Sequence, residues 1–192
     1  MRINAGKFKG FPIATRDVAG TRPTSDKVKQ AIFNVLGPAI AGKAVLDLFS
    51  GFGSLGLEAL SRGARRVVFV EKNPLCTRVI TENLLRLHGD LDTKVLTLDV
   101  SKAIQNLEKR GEIFDIVLSD APYSKGSGKH PPQGLNAKLL NALANSCILS
   151  QESLLVFQHD KADPLSGNAG RCKFNRSYRH GKSFITIYLN GA

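Results

Sequence analysis

LDLFSGFGSLG, residues 46–56, joins an apolar run to a glycine-rich turn that opens a helix-period segment. Its glycines match the pattern GxGxxG, which alone fits a dinucleotide site, a methyltransferase site or only a tight strand-to-helix turn. Glycines let the backbone turn sharply and approach a ligand closely. Asp47 lies within the end of the predicted strand. A pyrophosphate has little use for a carboxylate there, so the stretch favours a cationic or amino-bearing ligand.

Short runs rich in Val, Ile and Leu alternate with helix-period segments on both sides of this stretch. The predicted strands are residues 44–49, 66–70, 94–98, 113–119 and 153–158, and the predicted helices lie near 54–62, 74–88, 100–110 and 134–147. Strands separated by helices indicate βαβ units and a mostly parallel sheet. The run VVFV has no polar alternation, which is typical of a strand buried on both faces.

The two ends of the chain read differently. Residues 1–16 suggest a short hairpin, residues 24–36 a helix, and residues 172–189 two strands that turn near His180-Gly181. We therefore expect an α/β fold with an antiparallel hairpin closing the sheet and a small hairpin-and-helix extension at the N-terminus.

Acidic residues end two further strands. Glu71 ends the second strand, where its carboxylate can accept hydrogen bonds from ribose hydroxyls, and Asp99 follows the third, placed to meet the edge of an adenine. Open α/β sheets bind ligands at the carboxyl ends of their strands. Together with Asp47, these acids favour S-adenosylmethionine as the ligand, with NAD as the alternative. Asp99 fits equally well as the cap of the helix that begins at residue 100.

The stretch FDIVLSDAPYSKG, residues 114–126, delivers Asp120-Ala121-Pro122-Tyr123 to the same edge. These four residues resemble the [DNS]-P-P-[YFW] motif of methyltransferases that modify planar amino nitrogens. A carboxylate or carbonyl that accepts N–H bonds can orient such an amine, and an aromatic ring stacks on a base taken out of its helix. The structural alternative is an Asx or Pro turn that ends the strand.

The net charge of +11 is concentrated at the chain ends. Residues 1–30 and 161–192 each carry +5, whereas the residues between them carry only +1. Concentrated Lys and Arg predict a face that binds a polyanion, although a solvated surface is the alternative.

The cysteines and the hydropathy indicate the cellular compartment in which the protein acts. Cys76, Cys147 and Cys172 are odd in number and lack metal-ligand spacing, which favours reduced thiols in the cytoplasm and no metal. No apolar run reaches about 18 residues, and the N-terminus lacks the apolar region of a signal peptide, so we expect no membrane association.

Several segments together resemble the RsmD family, bacterial methyltransferases that act on a guanine N2 of small-subunit ribosomal RNA. These are MRINAGKFKG, TRPTSDKVKQAIFNVL, LDLFSGFGSLGLEALSRGA, VVFVEKN, SDAPY and QHDK, which run from residue 1 to about 189. AGKFKG and RPTSD are the most diagnostic, because generic Rossmann methyltransferases lack them. The resemblance implies a Rossmann-like class I methyltransferase with a seven-stranded sheet whose last strand is antiparallel. It also implies S-adenosylmethionine as cofactor. The expected partner is small-subunit ribosomal RNA in an assembled or assembling particle, and we expect the chain to be a monomer.

The resemblance also assigns roles to residues. Asp47, Phe49, Gly51 and Gly53 would hold the methionine end of the cofactor, Glu71 the ribose and Asp99 the adenine amino group. The catalytic motif would be Asp120, Ala121, Pro122 and Tyr123, with Asp120 and Tyr123 holding the target guanine. Residues 1–40 would form a basic RNA-binding extension that includes Arg2, Lys7, Lys9 and Arg22, and residues 41–192 the methyltransferase domain.

Ala121 departs from the family, which has proline at this position. The chemistry needs the backbone carbonyl of this residue, and alanine also provides one. Proline would in addition fix φ and restrict the loop. We therefore expect catalysis to be retained but slower. Two other readings stay open at this point: an N-methyltransferase that acts on a DNA base or another RNA, and a non-catalytic RNA-binding assembly factor.

Overall fold

The structure is a computed structural model that describes residues 1–18, 25–122, 134–181 and 183–191. Among these residues, no helix has the length and apolar character needed to cross a membrane.

Within the described ranges, seven strands form a single sheet in the order β3-β2-β1-β4-β5-β7-β6. The strands are β1 (Ala44–Leu48), β2 (Arg66–Glu71), β3 (Asp92–Thr97), β4 (Phe114–Asp120), β5 (Leu149–Asp160), β6 (Cys172–His180) and β7 (Ser183–Asn190). The first five strands pair in parallel, and β7 runs antiparallel to both β5 and β6. The predicted seven-stranded sheet with an antiparallel last strand is confirmed.

In the part of the chain that the structure describes, five α-helices cover the sheet: α1 (Asp26–Leu36), α2 (Ser54–Ser61), α3 (Pro74–Arg86), α4 (Val100–Lys109) and α5 (Leu135–Ala144). A short 3-10 helix, Gly37–Ile40, follows α1. The start of α3 is fixed by a cap and a proline, because the Asn73 side chain accepts a hydrogen bond from the Leu75 N–H at 2.9 Å and Pro74 takes the first helical position.

β5 begins well before its predicted start at residue 153. Leu149 pairs with Phe114, after which the register between β4 and β5 shifts. Glu152 lies in this interval with a left-handed backbone, φ 61°. The interruption breaks the alternation of side chains, so the polar first part of β5 gives no strand pattern in the sequence.

β1 is buried on both faces because helices pack against each side of the sheet. Leu46 and Leu48 belong to the core that includes residues of α4 and α5. Val45 belongs to the core that includes residues of α1, α2 and α3. Since side chains alternate along a strand, Asp47 points to the same side as Val45.

Residues 1–13 form a short turn that pairs its two arms. The Ile3 N–H donates to the Phe11 carbonyl at 3.0 Å, and the Ile13 N–H donates to the Met1 carbonyl at 3.1 Å. Ile3 and Ile13 are buried in the core shared with α1, α2 and α3. The segment is therefore packed into the domain.

Glu58 of α2 anchors this N-terminal segment. Its carboxylate accepts hydrogen bonds from the Asn4 N–H at 2.7 Å and the Ala5 N–H at 3.1 Å. It also pairs with Lys29 of α1 at 3.4 Å, where both side chains are fully buried, and with Arg62 at 2.8 Å. One buried acid thus joins the N-terminal segment, α1 and α2.

Asn83 of α3 holds the next part of the chain. Its side-chain oxygen accepts the Ala14 N–H at 2.8 Å, and its amide nitrogen donates to the Ala14 carbonyl at 3.1 Å. The same amide nitrogen donates to the carbonyl of Phe52 at 3.4 Å. The N-terminal segment is therefore connected through one side chain to the loop between β1 and α2.

We expect Glu58→Ala to lower the free energy of unfolding by about 3–5 kcal/mol, because it removes the acceptor of the Asn4 and Ala5 N–H groups and leaves buried Lys29 with only half-exposed Asp26 as its acidic partner. Urea denaturation followed by circular dichroism measures the loss. Glu82→Ala is the matched control, since the Glu82 pair with Arg16 is solvent-exposed at 3.0 Å and should contribute at most about 1 kcal/mol. Equal losses in the two variants would contradict the anchoring role of Glu58.

Candidate active site

The strand register gathers three acids at one edge of the sheet. Asp47 lies opposite Phe69 of β2 and Leu118 of β4. Glu71 and Asp120 follow these partners by two residues, so they lie about 7 Å further toward the carboxyl edge. The same two-residue spacing places all three side chains on the side of the sheet that α1, α2 and α3 cover.

The loop after β1 is bonded to β2. The Ser50 N–H donates to the Val70 carbonyl at 3.0 Å, and the Ser50 hydroxyl accepts the Val70 N–H at 3.0 Å. Glu71 accepts the Gly51 N–H at 3.0 Å and the Asn73 N–H at 2.9 Å, one on each carboxylate oxygen. The Glu71 carboxylate is thus fixed beside the glycine loop, with lone pairs left on both oxygens.

Phe49 opens this loop with a left-handed backbone, φ 56°. A non-glycine residue in this region costs on the order of 1 kcal/mol or more, and such residues concentrate at functional sites. Gly53, with φ 83°, precedes the first residue of α2, and here glycine avoids the same cost.

Gly56 allows α2 to approach β2. A Cβ atom at this position would lie 2.2 Å from a ring carbon of Phe69. The Gly56 N–H donates to Oδ2 of Asp47 at 2.9 Å. The close approach therefore also places a hydrogen-bond donor on the central acid.

Asp47 is almost completely buried, and its Oδ1 accepts no hydrogen bond from any residue that the structure describes. The nearby Ser50 hydroxyl donates instead to the Asp47 backbone carbonyl at 2.7 Å. Burial raises the pKa of Asp47 to about 8, with smaller contributions from the charges of Asp120 and Glu71, against the lowering effect of the Gly56 N–H and of Ser50. The site is therefore suited to a ligand that brings a positive charge or an N–H donor to Oδ1.

Asp99 caps α4, which is the structural role that the sequence offered as an alternative to binding adenine. Its side chain is exposed, and Oδ1 accepts the Ser101 N–H at 2.9 Å. The cap occupies one of the two carboxylate oxygens, so the capping role and the predicted ligand role are compatible.

The motif after β4 is described in part. Ala121 is buried and Pro122 is exposed. Tyr123 lies outside the described residues, as does Arg22.

The predicted RNA-binding residues Arg2, Lys7 and Lys9 are exposed. The Lys7 N–H donates to the carbonyl of Ser61, the last residue of α2, at 2.7 Å. Since α2 begins at the glycine loop, this contact lies about 10 Å along the helix from the loop. The structure gathers Asp47, Glu71, Asp120 and the glycine loop, but it places Lys7 at the other end of α2.

Gly56, Ser50 and Asn83 support the site but were not among the predicted site residues. Asn83 did carry a signal, because it shares one face of α3 with the buried residues Cys76, Val79 and Ile80 at helical spacing. A polar residue on a buried face needs hydrogen-bond partners, and here they are Ala14 and Phe52.

The sheet order, the antiparallel β7 and the acid-lined glycine loop define the class of S-adenosylmethionine-dependent methyltransferases. The chain belongs to the family described as Conserved hypothetical protein 95, whose model matches residues 1–189, and the resemblance to the RsmD family is confirmed. It is 31% identical to ribosomal RNA small subunit methyltransferase D of Escherichia coli K12, over 100% of this chain and 91% of that protein.

Solved structures agree with this assignment. The structure of yhhF from Escherichia coli is 26% identical, with a TM-score of 0.81 and coverage of 100% of this chain and 98% of that one. SMU.776 complexed with SAH has a TM-score of 0.69 at 15% identity, covering 88% of this chain and 50% of that one. The likeness to SMU.776 is one of fold.

We expect Asp47→Asn to change how stability depends on pH in the absence of ligand. Because the folded-state pKa is raised to about 8, the stabilising contribution of protonated Asp47 is complete below about pH 4 and is lost as pH rises through about 8. Asparagine does not titrate and keeps an acceptor for the Gly56 N–H. Urea denaturation should show the variant gaining a few kcal/mol relative to the wild type between about pH 5 and about pH 8.5. Parallel pH profiles would contradict the raised pKa.

Proposed function

We propose that this protein transfers a methyl group from S-adenosylmethionine to the exocyclic N2 amine of a guanine in small-subunit ribosomal RNA. The observation that carries the proposal is the position of Asp120, at the end of β4 on the same sheet face as buried Asp47. The full-length likeness to ribosomal RNA small subunit methyltransferase D supports the substrate.

The described residues fit the cofactor. The buried Oδ1 of Asp47, without a hydrogen-bond partner among the described residues, suits the α-ammonium of the methionine end. The remaining lone pairs of Glu71 would accept the ribose hydroxyls, and the Asp99 carboxylate, at the start of α4, would accept the adenine amino group. Phe49, Gly51 and Gly53 would form the backbone wall of the same site. When bound, S-adenosylmethionine supplies a methyl group on a sulfonium.

Asp120 would orient the target amine. The lone pair of a guanine N2 is delocalised into the ring, so the amine is a poor nucleophile until its N–H bonds are held by acceptors. The Asp120 carboxylate and the Ala121 carbonyl are acceptors of the required kind, and the carboxylate can take the proton that the amine loses. Holding the two reacting groups in position in this way lowers the activation barrier by several kcal/mol. Tyr123 would stack on the guanine, and Pro122 would stiffen the loop.

The charge distribution supports RNA as the substrate. Both chain ends are strongly basic, and the middle is nearly neutral. In this proposal residues 1–40 form the RNA-binding extension, with Arg2, Lys7, Lys9 and Arg22 contacting phosphates, and residues 41–192 form the catalytic domain. A ribosomal substrate also implies action in the cytoplasm.

Labelled methyl transfer tests the proposal. Purified protein is incubated with methyl-labelled S-adenosylmethionine and, in parallel, with 30S particles, protein-free 16S RNA and DNA, and the product nucleoside is identified by mass spectrometry. The proposal expects N2-methylguanosine in the ribosomal substrate. Label in DNA alone would favour a DNA methyltransferase, and the lack of S-adenosylmethionine binding by calorimetry would favour an assembly factor.

Asp120→Asn should separate catalysis from cofactor binding. We expect the rate constant of methyl transfer to fall by about 10²- to 10⁴-fold, because the amine loses its anionic acceptor. Cofactor affinity should not weaken, since the charge of Asp120 disfavours ionised Asp47. Asp47→Asn, measured by the same calorimetry, should lose cofactor affinity. A loss of affinity in both variants would contradict this division of roles.

Ala121→Pro tests the loop geometry. We expect the rate of methyl transfer to rise by up to about fivefold, because proline fixes φ at this position and so holds the 121 carbonyl closer to its reactive geometry. Pro122→Ala is the matched opposite change and should slow the reaction. Calorimetry should give the same S-adenosylmethionine affinity for both variants and the wild type. Equal rates in all three proteins would show that loop restriction has no role.

A further inference from the structure

β6 forms one edge of the sheet and is open to solvent along most of its length. Of its nine residues only Cys172 is buried, and Lys173 to Arg179 are all exposed. Two of these residues are aromatic, with Phe174 41% and Tyr178 39% exposed. β6 therefore offers aromatic rings to solvent on both faces of the sheet edge.

The charge of β6 is of one sign. Residues 171–181 contain Arg171, Lys173, Arg176 and Arg179 and no Asp or Glu. At the opposite edge of the sheet, by contrast, Lys94 pairs with Glu112 at 3.6 Å. Within the described ranges, the basic residues of β6 form no such ion pair. The strand therefore presents uncompensated positive charge.

Three of the exposed residues share the face of the sheet that carries Asp120. Lys173, Arg176 and Tyr178 pair with Leu189, Ile187 and Ile185 of β7, and Ile185 and Ile187 are buried in the core beneath α1. Paired residues point to the same side of a sheet. We call Lys173, Arg176 and Tyr178 the β6 strip. Arg179 and Phe174 lie on the opposite face.

The register also sets the β6 strip level with the active site. Asp120 pairs with Gln158, Gln158 with Ile185, and Ile185 with Tyr178. Tyr178 is thus three inter-strand spacings, or about 14 Å, from Asp120. The guanidinium of Arg176 lies over the Tyr178 ring, 5.5 Å from its centroid. A planar cation and an aromatic ring are the two groups on which unpaired bases stack.

We infer that the β6 strip binds the RNA strand that carries the target guanine, on one side of the active site. Tyr178 and Arg176 stack with an unpaired base near the target, and Lys173 neutralises a phosphate further along. The inference rests on the proposed function, because it takes RNA as the substrate. Charge complementarity favours RNA over a second copy of this chain, since basic side chains on an edge strand oppose pairing with an identical strand.

Direct binding tests the β6 strip without relying on turnover. Dissociation constants for protein-free 16S RNA and 30S particles are measured between about 50 and about 200 mM salt. Tyr178→Ala should weaken binding at least about fivefold, whereas Tyr178→Phe should restore it, because the ring is what stacks. Lys173→Ala should lower the slope of log affinity against log salt by about 1, because it removes a phosphate contact.

Arg179→Ala is the matched control, since it removes a positive charge from the same strand on the opposite face. Its RNA affinity should stay within about twofold of the wild type. Urea denaturation confirms that each variant is folded.

In methylation assays the Arg176→Ala/Tyr178→Ala double variant should raise KM for RNA, with kcat and S-adenosylmethionine affinity unchanged.

The outcomes separate the two proposals. Wild-type RNA affinity in Tyr178→Ala and Lys173→Ala would overturn the β6 strip while leaving the methyltransferase activity in place. RNA binding that needs the strip, without methylation of any guanine, would support the strip and overturn the proposed function. A wild-type dimer in size-exclusion chromatography that the strip variants convert to a monomer would assign β6 to self-association and overturn the inference.

Discussion

The hydrogen bond from the Gly56 N–H to the Asp47 carboxylate is the contact on which the site depends. It joins the end of β1 to the first turn of α2, across a loop that itself bonds to β2. The bond requires α2 to lie so close to β2 that any side chain at position 56 would collide with Phe69. Glycine at this position is therefore a packing requirement that also determines where a buried acid receives its donor.

α2 connects the acid site to the N-terminal segment. Gly56 lies in its first turn at the acid site, and Glu58, two residues later, accepts the backbone amides of Asn4 and Ala5. A helix of 8 residues thus connects the active-site edge to the N-terminal segment. Because Asn83 joins the same segment to the carbonyl of Phe52, the glycine loop is held from two directions.

Sequence patterns were sufficient for the regular part of this arrangement. Buried parallel strands such as Val67–Val70 are uniformly apolar, so their positions and the edge that collects Glu71 and Asp120 follow from local signals. The anchoring by Glu58 did not follow from local signals, because Asn4 and Ala5, whose backbone amides it accepts, lie more than 50 residues away. Nothing local distinguishes Glu58 from an exposed helical glutamate. Asp99 shows the same limit: a capping acid and a ligand-binding acid have identical local patterns.

Ionisation of the buried acid Asp47 is unfavourable in the folded protein, and this indicates which kind of ligand the site binds. Burial, together with the charges of Asp120 and Glu71, holds the pKa of Asp47 far above that of an exposed carboxyl, so ionised Asp47 is disfavoured in the ligand-free protein. A cation next to Asp47 reverses this preference and also reduces the repulsion from Asp120. Once Asp47 is ionised, the low dielectric of the buried site strengthens its attraction to the cation. The ionised acids would repel an anionic group such as a pyrophosphate, which is why the arrangement favours a sulfonium cofactor with an α-ammonium group over a dinucleotide.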